Sequence, residues 1–226
     1  MKTLDRRCLR TRLALQDALA QEIHATGDLA RVTVTGVTER ANVTRRTFYS
    51  HYKDIPALVR CIEDETIEDL APLAQRVSQV TLPQLEEAIH SFEPSPGATD
   101  VLAYFREHGN ILSALLGKGG DPAFVERIKD MVSEVVQTRA LDGFSTVALA
   151  AFDYYLTFVV SAEVGVLVRW LTTGMKESDY AMVCIMTAML FIRPGDLYGR
   201  PIELDIPSLV SAAATQMEEN DNGTIR

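Results

Sequence analysis

Residues 33–52 read Thr-Val-Thr-Gly-Val-Thr-Glu-Arg-Ala-Asn-Val-Thr-Arg-Arg-Thr-Phe-Tyr-Ser-His-Tyr, and this run leaves the backbone few choices. Thr33 is suited to cap a helix whose apolar positions Val34, Val37 and Ala41 follow helical spacing. Asn42 falls where the chain must turn, and Asn tolerates the left-handed conformation better than most non-glycine residues. Thr44 offers a second cap, and Phe48 follows one turn later, facing back toward a core. The expectation is two short helices joined by a tight turn. Gly36 lies inside the first helix at a cost of about 1 kcal/mol against Ala. Either a close backbone approach or simple tolerance accounts for it.

With Phe48 turned inward, Arg45, Arg46 and Tyr49 project outward. Arginine bonds guanine edges in bidentate fashion or clamps phosphate, and threonine and tyrosine hydroxyls suit phosphate or base contacts. A helix-turn-helix that lays its second helix in the major groove has this layout. The competing reading is two amphipathic helices with a solvated charged face. Cap, turn and hydroxyl pattern occurring together favour double-stranded DNA as the partner. The candidate DNA-binding residues are Thr33, Thr35, Thr44, Arg45, Arg46, Thr47, Tyr49, His51, Tyr52 and Lys53. Thr44, Arg45, Arg46 and Thr47 would meet bases and nearby phosphates, while Tyr49, His51 and Lys53 fix the register on the backbone.

Charge sharpens this. The whole chain carries 22 Lys and Arg against 31 Asp and Glu, a net of −9, which argues against a nucleic-acid partner. The division along the chain reverses that inference. Residues 1–53 hold ten basic and five acidic side chains, and residues 54–226 hold twelve and twenty-six. A basic head on an acidic body is what a small DNA-reading unit requires. Arg6, Arg7, Arg10 and Arg12 are expected to precede the first helix, either as an arm reaching phosphates or a minor groove, or as a solubilising tail.

Other classes find little support. Cys8, Cys61 and Cys184 lie far apart with no CxxC, so neither a disulfide framework nor a zinc site is expected. No two of His24, His51, His90 and His108 stand at metal-ligand spacing on a helix, and no metal or cofactor is expected. There is no Gly-rich phosphate loop, no H-E-x-x-H and no Ser, His and Asp grouping, which disfavours an enzyme. A helical adaptor without DNA binding is the third class, opposed by the outward groups at Arg45, Arg46, Tyr49 and Lys53. The start of the chain is charged and has no apolar segment of signal-peptide type. Residues 147–170 come nearest to a membrane span but are interrupted by Asp153, Glu163 and Arg169, so a cytoplasmic protein with no membrane partner is expected.

Residues 12–58 resemble the N-terminal domain of the TetR family of bacterial transcriptional regulators. The resemblance rests on Leu15, Ala18, Leu19 and Ile23, on Thr33, Val34, Val37 and Ala41, and on Thr44 with the stretch from Thr47 through Asp54. That last stretch is the most specific part. Asn42 stands where many members have Gly. The resemblance implies an all-α fold in which residues 1–53 form the DNA-binding domain. Residues 54–193 would then form an effector-sensing and dimerisation domain, with 54–72 as a connector helix.

Downstream patterns are helical throughout, and no segment shows the clean alternation of a strand. Asp54 caps a helix with Pro56 in its first turn, and Pro72 is expected to end or kink it. Further helices are expected near 83–92, 99–108, 111–116 and from Pro122 to about residue 141, with breaks at 93–97 and 117–120. Residues 145–172 and 178–192 form two long apolar helices. A helix apolar on nearly every face needs more partners than one small domain supplies, and Ala162, Gly165 and Val166 would permit close approach. Burial within one subunit is the other reading.

Residues 158–174, ending Trp-Leu-Thr-Thr-Gly, resemble the C-terminal core of a TetR subgroup that includes the dihydroxyacetone kinase regulator type. There these helices pair across a two-fold axis as a four-helix bundle. The resemblance implies a homodimer on a pseudo-palindromic operator, a repressor more often than an activator, released by a small molecule or a protein partner. Candidate ligand-lining residues are Tyr104, Phe105, His108, Leu112, Phe152, Asp153, Tyr155, Glu163 and Trp170. For the aromatics, ordinary core packing is the rival reading. Asp153 and Glu163 are expected to be buried and to need a partner, for which Arg169 is one candidate. Residues 194–226 are expected to be a partly disordered extension with one short helix striped by Leu209, Val210, Ala213, Ala214 and Met217.

Overall fold

A computed structural model describes residues 6–140 and 146–191, together with Gly199. The expected stripe from Leu209 to Met217 lies outside the described residues, as do the first five positions.

Among the described residues there are ten α-helices, one 3-10 turn and no strand, as the helical patterns required. They are α1 (Arg6–Thr26), α2 (Val34–Arg40), α3 (Arg45–His51), α4 (Ile55–Val77), α5 (Leu82–Ser91), α6 (Ala98–Glu107), α7 (Gly109–Leu116), α8 (Pro122–Ala140), α9 (Thr146–Thr172) and α10 (Asp179–Met189). The 3-10 turn, Leu29–Arg31, links α1 to α2.

Each boundary has a local cause. Asp54 accepts a hydrogen bond from the Ala57 amide, with Pro56 in the first turn of α4, and Ser178 accepts from the Ala181 amide at the start of α10. Pro72 departs from expectation: α4 passes through it and runs on to Val77. Pro72 is exposed, so the Glu68 carbonyl that loses its amide donor has solvent access, and the missing bond does not stop the helix.

Among the described residues, one continuous apolar core runs from the head into the body. In the head it contains Leu15, Ala18, Leu19 and Ile23 of α1, Val37 of α2 and Phe48 of α3, and the first turns of α4 add Ile55, Leu58 and Val59. In the body, α9 sits against α7 and α8, and α10 against α5 and α6. The face of α9 that enters the core carries Leu156, Val160, Val164, Leu167 and Leu171, a spacing of three and four residues.

Head and body are joined along α1 and α4. Helix α1 packs on α7, where Asn110 Nδ2 donates to Asp17 Oδ1 at 3.1 Å. The Leu29 amide donates to the Gly119 carbonyl at 2.7 Å. Gly119 has φ of +90° and lies so close to the Gly27 carbonyl that a Cβ would collide with it, so only glycine serves there. Helix α1 already includes Arg6, Arg7, Arg10 and Arg12, which were expected to precede it: Arg10 is an exposed helical residue, and Arg12 is ion-paired with Glu65 of α4. The pairing costs Arg12 its freedom to reach DNA.

Candidate nucleic-acid interface

The helix-turn-helix is assembled by short-range bonds. Thr33 Oγ1 accepts from the Gly36 amide at 3.1 Å, and Thr44 Oγ1 accepts from the Thr47 amide at 3.1 Å. Between the caps, Ala41 N bonds Val37 O at 2.9 Å, Val43 N bonds Thr38 O at 3.0 Å, and Asn42 takes φ of 52°. A Cβ at Gly36 would meet the carboxylate end of the Glu22 side chain, which is paired with Arg40, and no backbone atom is among its nearest neighbours.

Phe48 is 0% exposed, and its ring meets Tyr49 edge-on at 5.5 Å and Tyr52 at 5.9 Å. That anchor turns the opposite face of α3 outward, so Arg45, Arg46, Tyr49 and Ser50 are exposed, with Thr44 just before the helix and Lys53 just after it. Arg45 bonds the Thr35 hydroxyl, linking the outer faces of α2 and α3, and Thr33 stands exposed beside them. Thr47 is half-buried, with its hydroxyl 2.9 Å from that of Thr44. Ser50, absent from the sequence-derived set, completes the surface, and its Oγ donates to Thr47 O at 2.6 Å. Its signal was the hydroxyl three residues after Thr47.

Two candidates are placed differently. His51 is half-buried, with Nδ1 3.9 Å from Cys8 Sγ at the end of the helix facing α1. Tyr52 is a correction. It is buried in the head core and does not reach the surface on which DNA would lie. Its hydroxyl is buried without a hydrogen-bond partner, and burial pushes its pKa up to about 12. Tyr52 follows the last residue of α3 in extended backbone, which turns its side chain away from the helix's outer face.

Among the described residues, the ligand-lining candidates are spread over the core, the surface and one small cavity. Phe105, Leu112 and Trp170 are core residues. Trp170 is held by the Arg106 guanidinium, 4.9 Å above its ring, and its Nε1 donates to Glu177 O at 3.3 Å. Arg106 also bonds Asp179 Oδ1 at 2.5 Å and Glu177 O at 2.6 Å, clasping α6 to the turn between α9 and α10. Tyr104 donates to Asp69 at 3.3 Å, burial pushes its pKa up to about 12, and its ring lies tilted against that of His108, with centroids 4.5 Å apart. His108 lines a cavity of about 140 Å³ between α1, α4 and α7. Phe152 is half-buried against the core.

On α9, Asp153 and Tyr155 are exposed, against the expectation of an enclosed acid. Asp153 accepts from Gln137 Nε2 at 3.4 Å. Among the described residues only one face of α9 is covered, and these residues lie on the other. Glu163 is half-buried, and desolvation raises its pKa to about 7. Arg169 is exposed, and among the described residues no ion pair joins it to Asp153 or Glu163. The uncovered face of α9 carries Tyr154, Phe158, Ala162, Gly165, Arg169 and Thr172, with open space over Gly165. By length and composition residues 152–172 would also suffice to cross a membrane.

Comparison with known proteins gives three findings. Residues 93–191 match the family TetR_C_8, described as "Transcriptional regulator C-terminal region". An uncharacterized HTH-type transcriptional regulator of Bacillus subtilis, YxbF, is 32% identical over 91 residues, which are 39% of this chain. The match spans only 24% of that relative's length. A TetR transcriptional regulator from Streptococcus agalactiae shares the fold, with a TM-score of 0.50 over 82% of this chain and 96% of that one, at 23% identity. Residues 93–191 are thus similar to a transcriptional regulator C-terminal region, and the chain shares its all-α fold with that solved structure.

Proposed function

We propose that the chain is a DNA-binding transcriptional regulator acting in the cytoplasm as a homodimer. Residues 1–53 read DNA, residues 54–193 sense an effector and dimerise, and 194–226 are an extension. The observation that carries this reading is the outer face of α3. Phe48 is wholly buried beneath it, while Arg45, Arg46, Tyr49 and Ser50 stand free of the body, beside the capping hydroxyl of Thr44. Arg45 and Arg46 meet base edges or phosphates, and Tyr49 and Lys53 hold the register.

One seven-residue helix reads few base pairs, so two copies are needed on a pseudo-palindromic site. The uncovered stripe of α9 supports pairing with a second copy. Its central part, Tyr154, Phe158, Ala162 and Gly165, is apolar and follows helical spacing, and the small residues Ala162 and Gly165 let a partner helix come close. The working mode proposed is repression relieved by a small molecule or a protein partner, with activation controlled by a protein partner as the alternative.

The test is fluorescence anisotropy with the DNA fragment immediately upstream of the protein's own coding region. Arg45→Ala or Arg46→Ala weakens binding by about 1–3 kcal/mol if that side chain reads a base. Unchanged affinity in both variants would remove α3 as the recognition helix.

A further inference from the structure

Glu63, on α4, is a carboxylate buried at the joint between head and body and only 4% exposed. Its Oε2 accepts from Arg127 Nη1 of α8 at 2.9 Å, and Arg127 Nη2 donates to Asp64 Oδ1 at 2.6 Å. Glu63 Oε1 is buried with no donor facing it. The carboxyl group of Asp121, in the loop before α8, lies within hydrogen-bonding reach of Glu63. Asp121 Oδ1 is already engaged, accepting from the Ala123 amide at 2.9 Å. Arg127 thus pairs with Glu63 and Asp64, and Asp121 sets a third carboxyl group against Glu63 alone. Two ionised carboxylates in contact have no bond to make, whereas one proton between them supplies a donor. Burial first, then the charge of Asp121, lifts the Glu63 pKa to about 7 against the pull of Arg127.

The location gives the pair something to control. Asp121 ends the loop 117–121, and Gly119 of that loop holds the head through the Leu29 amide and the tight approach to Gly27. We propose that Glu63 and Asp121 form a proton-binding site at the α4–α8 joint. With one proton between them, the pair fastens loop 117–121 to α4. When the proton leaves to solvent, the like charges part and the loop's hold on the head slackens. Proton concentration near neutrality thereby sets how firmly the body holds the DNA-reading head.

The full chain tests this without DNA, so the outcome is independent of the operator reading. In the wild type, the hydrogen-exchange protection factor of the Leu29 amide falls roughly tenfold between about pH 6 and pH 8, and in Glu63→Gln it stays level. Thermal unfolding supplies the second readout. A carboxyl whose pKa is raised on folding takes up a proton as the chain folds. The stability that proton brings is complete below the unfolded pKa and is lost as pH rises through the folded one. The melting temperature of Glu63→Gln therefore draws ahead of the wild type from about pH 5 to pH 7 and levels off above that. Glu163 titrates over the same range, so the gap between the two proteins is the quantity read. Should Glu63→Gln fail to fold, Asp121→Asn keeps the cap on Ala123, removes the like charge and gives the same level profile. Wild-type protection that does not change with pH, or an equal fall in the variant, overturns the proposal.

Discussion

Removing the Tyr52 hydroxyl separates a packing role from a DNA-binding one. The ring is 7% exposed, lies 5.9 Å from Phe48, and carries a hydroxyl that is buried with no partner. An unsatisfied buried hydroxyl costs about 1–3 kcal/mol, and truncation to Phe withdraws that cost while keeping the ring's contacts. The shape of the core is preserved, so no cavity term of consequence offsets the gain. We take about 1 kcal/mol as the net stabilisation of Tyr52→Phe, near the lower end of that range. With a urea slope of about 1–3 kcal/mol per molar, the unfolding midpoint rises by roughly 0.3–1 M at unchanged slope. Operator affinity in the same protein stays within about twofold, since the hydroxyl lies beneath the reading surface. Tyr49→Phe is the matched control. Tyr49 is 57% exposed, so its stability changes by less than about 0.5 kcal/mol while operator binding weakens. A lower midpoint for Tyr52→Phe, or a tenfold loss of DNA affinity, would mean that the hydroxyl has a partner and that the burial argument fails.

Two other outcomes follow from α9. Phe158→Asp places a charge on its uncovered stripe, where Phe158 is 70% exposed, and should convert a dimer into a folded monomer by sedimentation at micromolar concentration. Glu163→Gln should stabilise the chain by about 1–2 kcal/mol at pH 8, discounted for partial exposure, and by progressively less toward pH 5. The sign follows from a folded pKa raised by burial: the wild type loses its proton-linked stability as pH rises to about 7, and the amide has none to lose. A wild type that sediments as a monomer, or a Glu163→Gln gain that does not vary with pH, would count against the respective arguments.

The helix-turn-helix was legible because its bonds span three or four residues. Thr33 to Gly36, Thr44 to Thr47 and the left-handed Asn42 depend on near neighbours, and the caps at Asp54 and Ser178 are of the same kind. Helical periodicity likewise exposed the all-α class and put Phe48 in the core. Tertiary packing decided the rest. Tyr52 shares its composition and neighbourhood with a DNA contact, but the extended residue after α3 turns it inward. Arg12 reads as part of a basic arm until Glu65, far along the chain on α4, claims it. Periodicity marked Phe105, Leu112 and Trp170 as apolar but not what they would touch, and the Arg106 clasp leaves Trp170 structural. Glu63 and Asp121 lie on different elements and become a coupled pair only when α8 packs on α4. Short-range geometry is encoded by the residues that carry it. Burial, charge pairing and proton affinity belong to surfaces that exist only once distant segments meet.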